Sequence, residues 1–202
     1  MPTHPTVTKR IEILLEFEKY QRIMDTVLKE NISTNETFKK LFNGYYGIRR
    51  DSNWQTKYYQ YFQKHKRNLT ISFDEIIDYI YNNLLTSKGG KMPVEPSFSS
   101  KMLATINPNM PIYDKKVRTN MKLKELKGTP AEKLKQAKET YMEICNRYNS
   151  YLPTPECSAA ISIFNTYFPN YMRVSTVKKV DWFLFALTRT ELISMKIFNA
   201  LL

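Results

Sequence analysis

Glycine, histidine and cysteine are scarce in this 202-residue chain, and each shortage excludes a class of protein. With 5 glycines, the sequence lacks the glycine-rich turns of Rossmann and P-loop proteins and of turn-rich β-sandwiches. The 2 histidines, His4 and His65, are too few for a histidine-rich metal site, so neither a metal nor a cofactor is predicted. The 2 cysteines, Cys145 and Cys157, stand in no metal-binding pattern and are predicted to be free thiols in a reducing compartment.

Long apolar runs are also missing from the sequence. The most apolar stretch, residues 182–187, is far too short to cross a bilayer. The chain begins with a charged, amphipathic stretch that does not resemble a signal peptide. These features predict a cytoplasmic protein with no membrane partner.

Positive charge is what the sequence has in excess, with 31 Lys and Arg against 19 Asp and Glu and a net charge of +12. Residues 88–139 contain 12 basic and 5 acidic residues, which is over half of the excess in about a quarter of the chain. Such a concentration in a folded protein is typical of a polyanion binder, and it predicts DNA as the partner, with RNA as the alternative. Two other interpretations stay open: lysines that only increase solubility, and a basic face that meets an acidic protein.

Apolar residues recur mainly at helical spacing, which predicts an all-α, irregular multi-helix domain. The first helix is predicted over residues 8–30, and Asn35 (or Thr34), Asp51 and Ser72 are candidate caps of later helices. Glu75 lies where a capping box with Ser72 requires it. The mostly apolar run 157–168 is predicted to be buried, and residues 176–202 are predicted to form one or two closing helices.

The domain prediction is a single helical domain over residues 1–202. A division into two lobes, about 1–87 and 88–202, is the alternative. Its linker would lie near residues 87–96, where Lys88-Gly89-Gly90-Lys91 precedes two prolines and forms the clearest loop in the chain.

The segment 96–117 carries the strongest functional signal. Lys101 lies in a short predicted helix over 97–106, a proline-bounded connector follows, and Asp114 is predicted to cap a basic helix over 115–127. In the lysine and in the stretch Pro111-Ile112-Tyr113-Asp114, the segment resembles the helix-hairpin-helix region of DNA base-excision glycosylases of the 8-oxoguanine glycosylase and endonuclease III superfamily.

This resemblance implies a glycosylase-like fold and a set of roles. Asp114 would stabilise positive charge on the sugar, and Lys101 would attack the anomeric carbon to form a Schiff base. Tyr113 would line the pocket for a base rotated out of the duplex. Phosphate contacts would come from Ser99, Ser100, Lys115, Lys116 and Arg118.

Departures from the family keep other interpretations open. Ser99 and Ser100 stand where the family's hairpin has glycines, and a four-cysteine cluster is missing. The chain could therefore be a non-enzymatic nucleic-acid-binding module of this fold. Asp114 could be only a helix cap, and Lys101 could be a solvated or phosphate-contacting lysine.

A second segment combines adjacent aromatics with paired arginines, and it also resembles stretches of bacterial proteins that share the Ser-Lys and Pro-Ile-Tyr-Asp segment. Tyr45, Tyr46 and Trp54 would form a stacking pocket, and Arg49 and Arg50 would bind phosphates. The alternative, slightly favoured, is that the aromatics are core residues at a helix corner and the arginines lie on the surface.

Overall fold

The structure, a computed structural model, is all-helical, as predicted. It describes residues 7–84, 94–187, 196 and 201, and side chains within these ranges from residue 15 onward. These ranges hold no β-strand. Their α-helices are α1 (Val7–Val27), α2 (Glu36–Tyr46), α3 (Ser52–His65), α4 (Phe73–Asn83), α5 (Pro96–Ile106), α6 (Lys115–Asn120), α7 (Pro130–Tyr151), α8 (Pro155–Tyr167) and α9 (Thr176–Ala186), with a 3-10 turn at Pro169–Tyr171.

The chain forms two compact units, Met1–Ile106 and Asn107–Leu202. Most of the predicted linker near 87–96, including Lys88-Gly89-Gly90-Lys91, lies outside the described residues, because the structure does not describe residues 85–93. Within the described part, α5 packs on α4 and belongs to the first unit.

The first unit has an aromatic core, because several large rings of α2 and α3 are almost completely removed from solvent. They are Phe38, Phe42, Trp54, Tyr58, Tyr59 and Phe62. Phe42 lies at the centre of this cluster, with its ring centroid 5.5 Å from that of Phe62 and 4.7 Å from that of Tyr46. Aromatic burial on this scale dominates the stability of a unit of about a hundred residues.

Helix ends in the first unit confirm the capping predictions. The side chain of Asn35 accepts a hydrogen bond from the Phe38 amide at 2.8 Å, and that of Asp51 accepts one from the Trp54 amide at 2.9 Å. Ser72 and Glu75 form the predicted capping box. Each cap satisfies an amide that the helix itself leaves unpaired.

The second unit is built around α9, which packs against α6 and α8. Its longest helix, α7, begins at a capping box between Thr129 and Glu132, with Pro130 in the first helical position. Gly128, just before the cap, has a φ of 96°, and a Cβ there would collide with the Glu132 carboxylate. The chain therefore requires glycine at this turn.

Two sequence predictions in the second unit are wrong. The basic helix predicted over 115–127 ends at Asn120, whose buried side chain donates hydrogen bonds to the carbonyls of Leu184 (2.8 Å) and Leu187 (3.3 Å). The run 157–168 is not mostly buried. In α8 one narrow face, Cys157, Ala160 and Phe164, is buried, and several of the other residues line a surface groove.

The predicted closing helices over 176–202 are represented by α9, and most residues after Leu187 lie outside the described residues. Among the residues that the structure describes, none of the helices has the length and apolar character needed to cross a bilayer.

Candidate nucleic-acid interface

Residues 121–129, which join α6 to α7, form an exposed lysine-bearing segment that we call the basic loop. Lys122, Lys124 and Lys127 are exposed on it, while Met121 at its start is buried. Two contacts with α7 fix its backbone. Arg147 Nη1 donates to the Met121 carbonyl at 2.9 Å, and the Gln136 amide exchanges two hydrogen bonds of 3.0 and 2.8 Å with the backbone of Lys127.

Lys122 has a φ of 53°, in the left-handed region that favours glycine. A residue with a Cβ costs roughly 1 kcal/mol or more in this conformation. The backbone is held there because the amides of Lys122 and Leu123 donate to the carbonyls of Thr119 (3.2 Å) and Arg118 (2.9 Å). The result is a tight turn whose tip carries a charged, exposed side chain.

The basic surface is neutralised only in part. Residues 114–139 include nine basic and four acidic side chains. Arg118 pairs with Glu125 at 3.3 Å and Lys135 with Glu139 at 3.9 Å, both at the surface. Within the described part of the chain, Lys115 and the three lysines of the basic loop form no ion pair. Four exposed ammonium groups thus carry uncompensated charge.

Helix α6 directly precedes this loop in the chain, and it begins just after the predicted aspartate. Asp114 caps α6 as predicted, with Oδ1 accepting from the Val117 amide at 2.9 Å. Tyr113 is buried, and burial raises the pKa of its phenol. Lys116 donates to the Phe185 carbonyl at 2.7 Å and lies 4.2 Å from the centre of that ring. Of the side chains predicted here to bind phosphate, Lys115 and Lys116 are exposed, and Lys115 makes no ion pair in the described part of the chain.

The predicted lysine nucleophile lies in the first unit, and its ammonium group already donates a hydrogen bond within the protein. Lys101 Nζ donates to the Tyr46 carbonyl, near the end of α2, at 2.9 Å and lies 5.7 Å from the Phe98 ring centre. Lys101 belongs to the first compact unit and Asp114 to the second.

Ser99 and Ser100 do not have the surface placement that phosphate contacts require. Both are fully buried, and their hydroxyls donate to carbonyls of the chain just before them, Glu95 at 2.9 Å and Ser97 at 3.0 Å. This placement contradicts the predicted role, because a phosphate cannot reach a buried hydroxyl that already serves its own helix.

The aromatics of the second predicted segment form core rather than a pocket. Trp54 is 1% exposed and stacks on Tyr58, with ring centroids 4.9 Å apart. Tyr46 is buried, and Tyr45 is half-buried with its ring edge-on to Tyr46 at 4.6 Å. The structure therefore supports the helix-corner interpretation for these rings and contradicts their predicted pocket.

The two arginines of that segment differ in their exposure and in their contacts. Arg49 is exposed, as the surface interpretation requires. Arg50 forms an ion pair with Glu95 and lies 5.4 Å from the Phe98 ring centre. Burial raises the pKa of Glu95, and the Arg50 charge opposes that rise. Arg50 is therefore an internal counter-ion, since releasing it would leave Glu95 buried without its charge partner.

A functional group that sequence reasoning missed is Asp181 on α9, which is 5% exposed. Its Oδ1 accepts from the Tyr148 hydroxyl at 2.6 Å and lies 3.5 Å from the Ile112 amide. Oδ2 has no hydrogen-bond partner in the described part of the chain. Burial raises the pKa of this carboxyl to about 7; Asp114 adds to the rise, and Lys178 opposes it. The sequence signal that could have revealed Asp181 is its position directly before the most apolar stretch, residues 182–187.

No family model, curated protein or solved structure matches the chain. Over the residues that the structure describes, no three His, Cys, Asp or Glu side chains are grouped as a metal site would need.

Replacing Asp181 by Asn should remove part of the pH dependence of stability. The pKa of Asp181 is about 7 in the folded protein against an ordinary value of 3.8. As the pH rises between these values, the unfolded chain loses the proton first, so the free energy of unfolding falls. One group gives a slope of at most about 1.4 kcal/mol per pH unit. Urea unfolding at pH 5 and pH 7 would measure it.

The Asn side chain keeps the acceptor for Tyr148, so the variant isolates the titration. Asp25→Asn, at an exposed carboxylate, is the matched control. If Asp181→Asn lost stability between pH 5 and pH 7 as steeply as the unaltered protein, a buried, titrating Asp181 would be ruled out.

Proposed function

We propose that the protein binds nucleic acid through the basic loop and Lys115 at the start of α6. The observation that carries this proposal is a set of four exposed lysines, Lys115, Lys122, Lys124 and Lys127, that form no ion pair in the described part of the chain. Three of them stand on a backbone segment fixed at both ends by α7. Lysine ammonium groups bind phosphates as point charges.

Binding of this kind derives its free energy from counterion release. Each phosphate neutralised by a lysine releases condensed cations, so affinity falls steeply as salt rises. Lysine contacts to phosphate position a protein on the nucleic acid and carry no sequence information. DNA is the partner proposed first, with RNA as the alternative, since phosphate contacts alone do not separate them.

The ordered backbone matters for affinity. A flexible lysine-rich tail would lose backbone entropy on binding, whereas hydrogen bonds already fix the backbone of the basic loop at both ends. The left-handed turn at Lys122 contributes by placing its charged side chain at the tip. Local strain held by surrounding contacts at such a position is typical of a binding segment.

The triple variant Lys122→Gln, Lys124→Gln, Lys127→Gln should weaken binding to a fluorescent DNA duplex and reduce its salt dependence. Three lost phosphate contacts should lower the slope of log K against log [salt] by about 2 to 3. Fluorescence anisotropy over a series of salt concentrations measures both quantities. All three side chains are exposed, so the fold should be retained.

The matched control removes the same charge from the first unit, by Lys29→Gln, Lys57→Gln and Lys64→Gln, which are also exposed. Equal losses in the two variants would show that net charge, not the basic loop, determines affinity. Negligible affinity of the unaltered protein at physiological salt would overturn the proposal in favour of an acidic protein partner.

Base excision is a second candidate, favoured by the resemblance of segment 96–117 and by the position of Asp114 beside the basic surface. Borohydride trapping on DNA with an abasic site tests its lyase form. That form predicts a covalent adduct that is lost in Lys101→Ala. An adduct that survives this change would exclude Lys101 as the nucleophile, and no adduct with any lesion would leave nucleic-acid binding alone.

The role of Asp114 can be separated from its role as a helix cap. Asn caps helices as well as Asp does, so Asp114→Asn should preserve α6 while removing the negative charge. Base release that is unchanged in this variant would exclude a catalytic carboxylate at this position.

A further inference from the structure

A groove of about 620 Å³ lies within the second unit, bordered by α8 and the first residue of α9. Its volume is in the range of small-molecule sites. The lining mixes hydroxyls and one carboxamide with apolar side chains and includes no charged residue: Leu152, Cys157, Ser158, Ile161, Ser162, Asn165, Thr166, Met172 and Thr176. Burial raises the pKa of the Cys157 thiol, so this cysteine is not an activated nucleophile.

Lys179 hydrogen-bonds two residues of the groove wall and has no counter-ion among the residues that the structure describes. It is 2% exposed, and its Nζ donates to Asn165 Oδ1 at 2.9 Å and to the Met172 carbonyl at 2.8 Å. No carboxylate in the described part of the chain pairs with it. Burial lowers the pKa of Lys179, as expected for an ammonium group removed from water. An unpaired buried charge is costly and favours an anion nearby.

Several hydrogen-bond donors on the groove wall are uncommitted, although the hydroxyls of Ser158 and Thr166 donate to backbone carbonyls. Because Lys179 occupies Asn165 Oδ1, the Asn165 amide nitrogen is left to donate elsewhere. Within the described residues, the hydroxyls of Ser162 and Thr176 donate no hydrogen bond. The amide of Thr176 on the groove wall, and that of Val177 next to it in the first turn of α9, have no acceptor within the described part of the chain. The Ser175 side chain accepts from the following amide, that of Lys178.

We propose that this groove binds the phosphate group of a small phosphorylated molecule. The phosphate oxygens would accept from the Asn165 amide, from the Ser162 and Thr176 hydroxyls and from the first turn of α9. The charge of Lys179 and the α9 dipole favour the anion. A phosphate suits this wall better than a carboxylate because it has more oxygens for the several donors. The organic part would contact the apolar side chains of Leu152, Ile161 and Met172.

The variant Thr176→Pro tests the proposal with little disturbance of the helix. Proline is favoured at the first helical position, where its missing amide hydrogen is not used by the helix. Ser175, with φ −57° and ψ 149°, already has the backbone conformation that precedes proline. The change removes one backbone donor and one hydroxyl from the groove. Lys135→Met, which removes an exposed charge from α7, is the control.

Titration with inorganic phosphate and with ribose 5-phosphate, followed by two-dimensional NMR, gives the readout. Saturable shifts are expected for the Thr176 and Val177 amides and the Asn165 side chain, and none with ribose or with sodium chloride at equal ionic strength. Thr176→Pro should raise the Kd roughly tenfold or more, and Lys135→Met should leave it unchanged. Absent saturation, or an equal Kd in Thr176→Pro, would overturn the proposal.

A second variant and a competition experiment with DNA address the remaining outcomes. Should Thr176→Pro fail to fold, Ser162→Val on the exposed side of α8 removes another donor, and it must also weaken binding. DNA that displaces ribose 5-phosphate from the groove would assign the phosphate to a nucleic-acid backbone and overturn the small-molecule source. Unchanged DNA affinity in the groove variants would support the small-molecule source, and it keeps this test independent of the basic loop.

Discussion

The second unit depends on the polar contacts of one helix, α9. Asp181 accepts from Tyr148 of α7, Lys179 donates to Asn165 of α8, and carbonyls at the end of α9 accept from Asn120 of α6. These groups are largely removed from water, so each would be costly if it lost its partner. These hydrogen bonds hold three neighbouring helices in one arrangement, which apolar packing alone would not specify.

This arrangement places two separate surfaces. The Asn120 contact fixes the end of α6 and thus the start of the basic loop, and Arg147 and Gln136 of α7 fix the rest. On the other side, Lys179 holds the Asn165 amide at the wall of the groove. The first surface is an exposed set of cations suited to a polyanion. The second is an open groove with neutral donors suited to one small anion. Both follow from how α9 is anchored.

Much of the fold could be predicted from local sequence signals. The caps at Asn35, Asp51, Ser72 and Asp114 depend on side chains that bond amides three residues away, so a short window contains the information. The end of α6 could not be predicted in this way. Residues after Asn120 have a helical composition, and the helix stops because of contacts with residues more than sixty positions later.

The candidate site divides along the same line. The concentration of lysines was visible in the composition, because charge counts need no structure. The composition could not show which cations are available to bind a ligand. Arg50 pairs with Glu95, and Lys101 donates to a helix carbonyl, only in the folded chain. Ser99 likewise resembles a phosphate ligand in sequence and is a buried residue in three dimensions. The role of Lys179 could not be predicted from the sequence, because its burial without a counter-ion in the described part of the chain is a property of packing.

The central claim is that nucleic acid contacts the lysines of the basic loop. Photochemical crosslinking of the unaltered protein to DNA, with the crosslinked peptides identified by mass spectrometry, tests it most directly. The account predicts crosslinks concentrated in residues 115–127. Crosslinks confined to the first unit, or spread evenly over exposed lysines of both units, would contradict it.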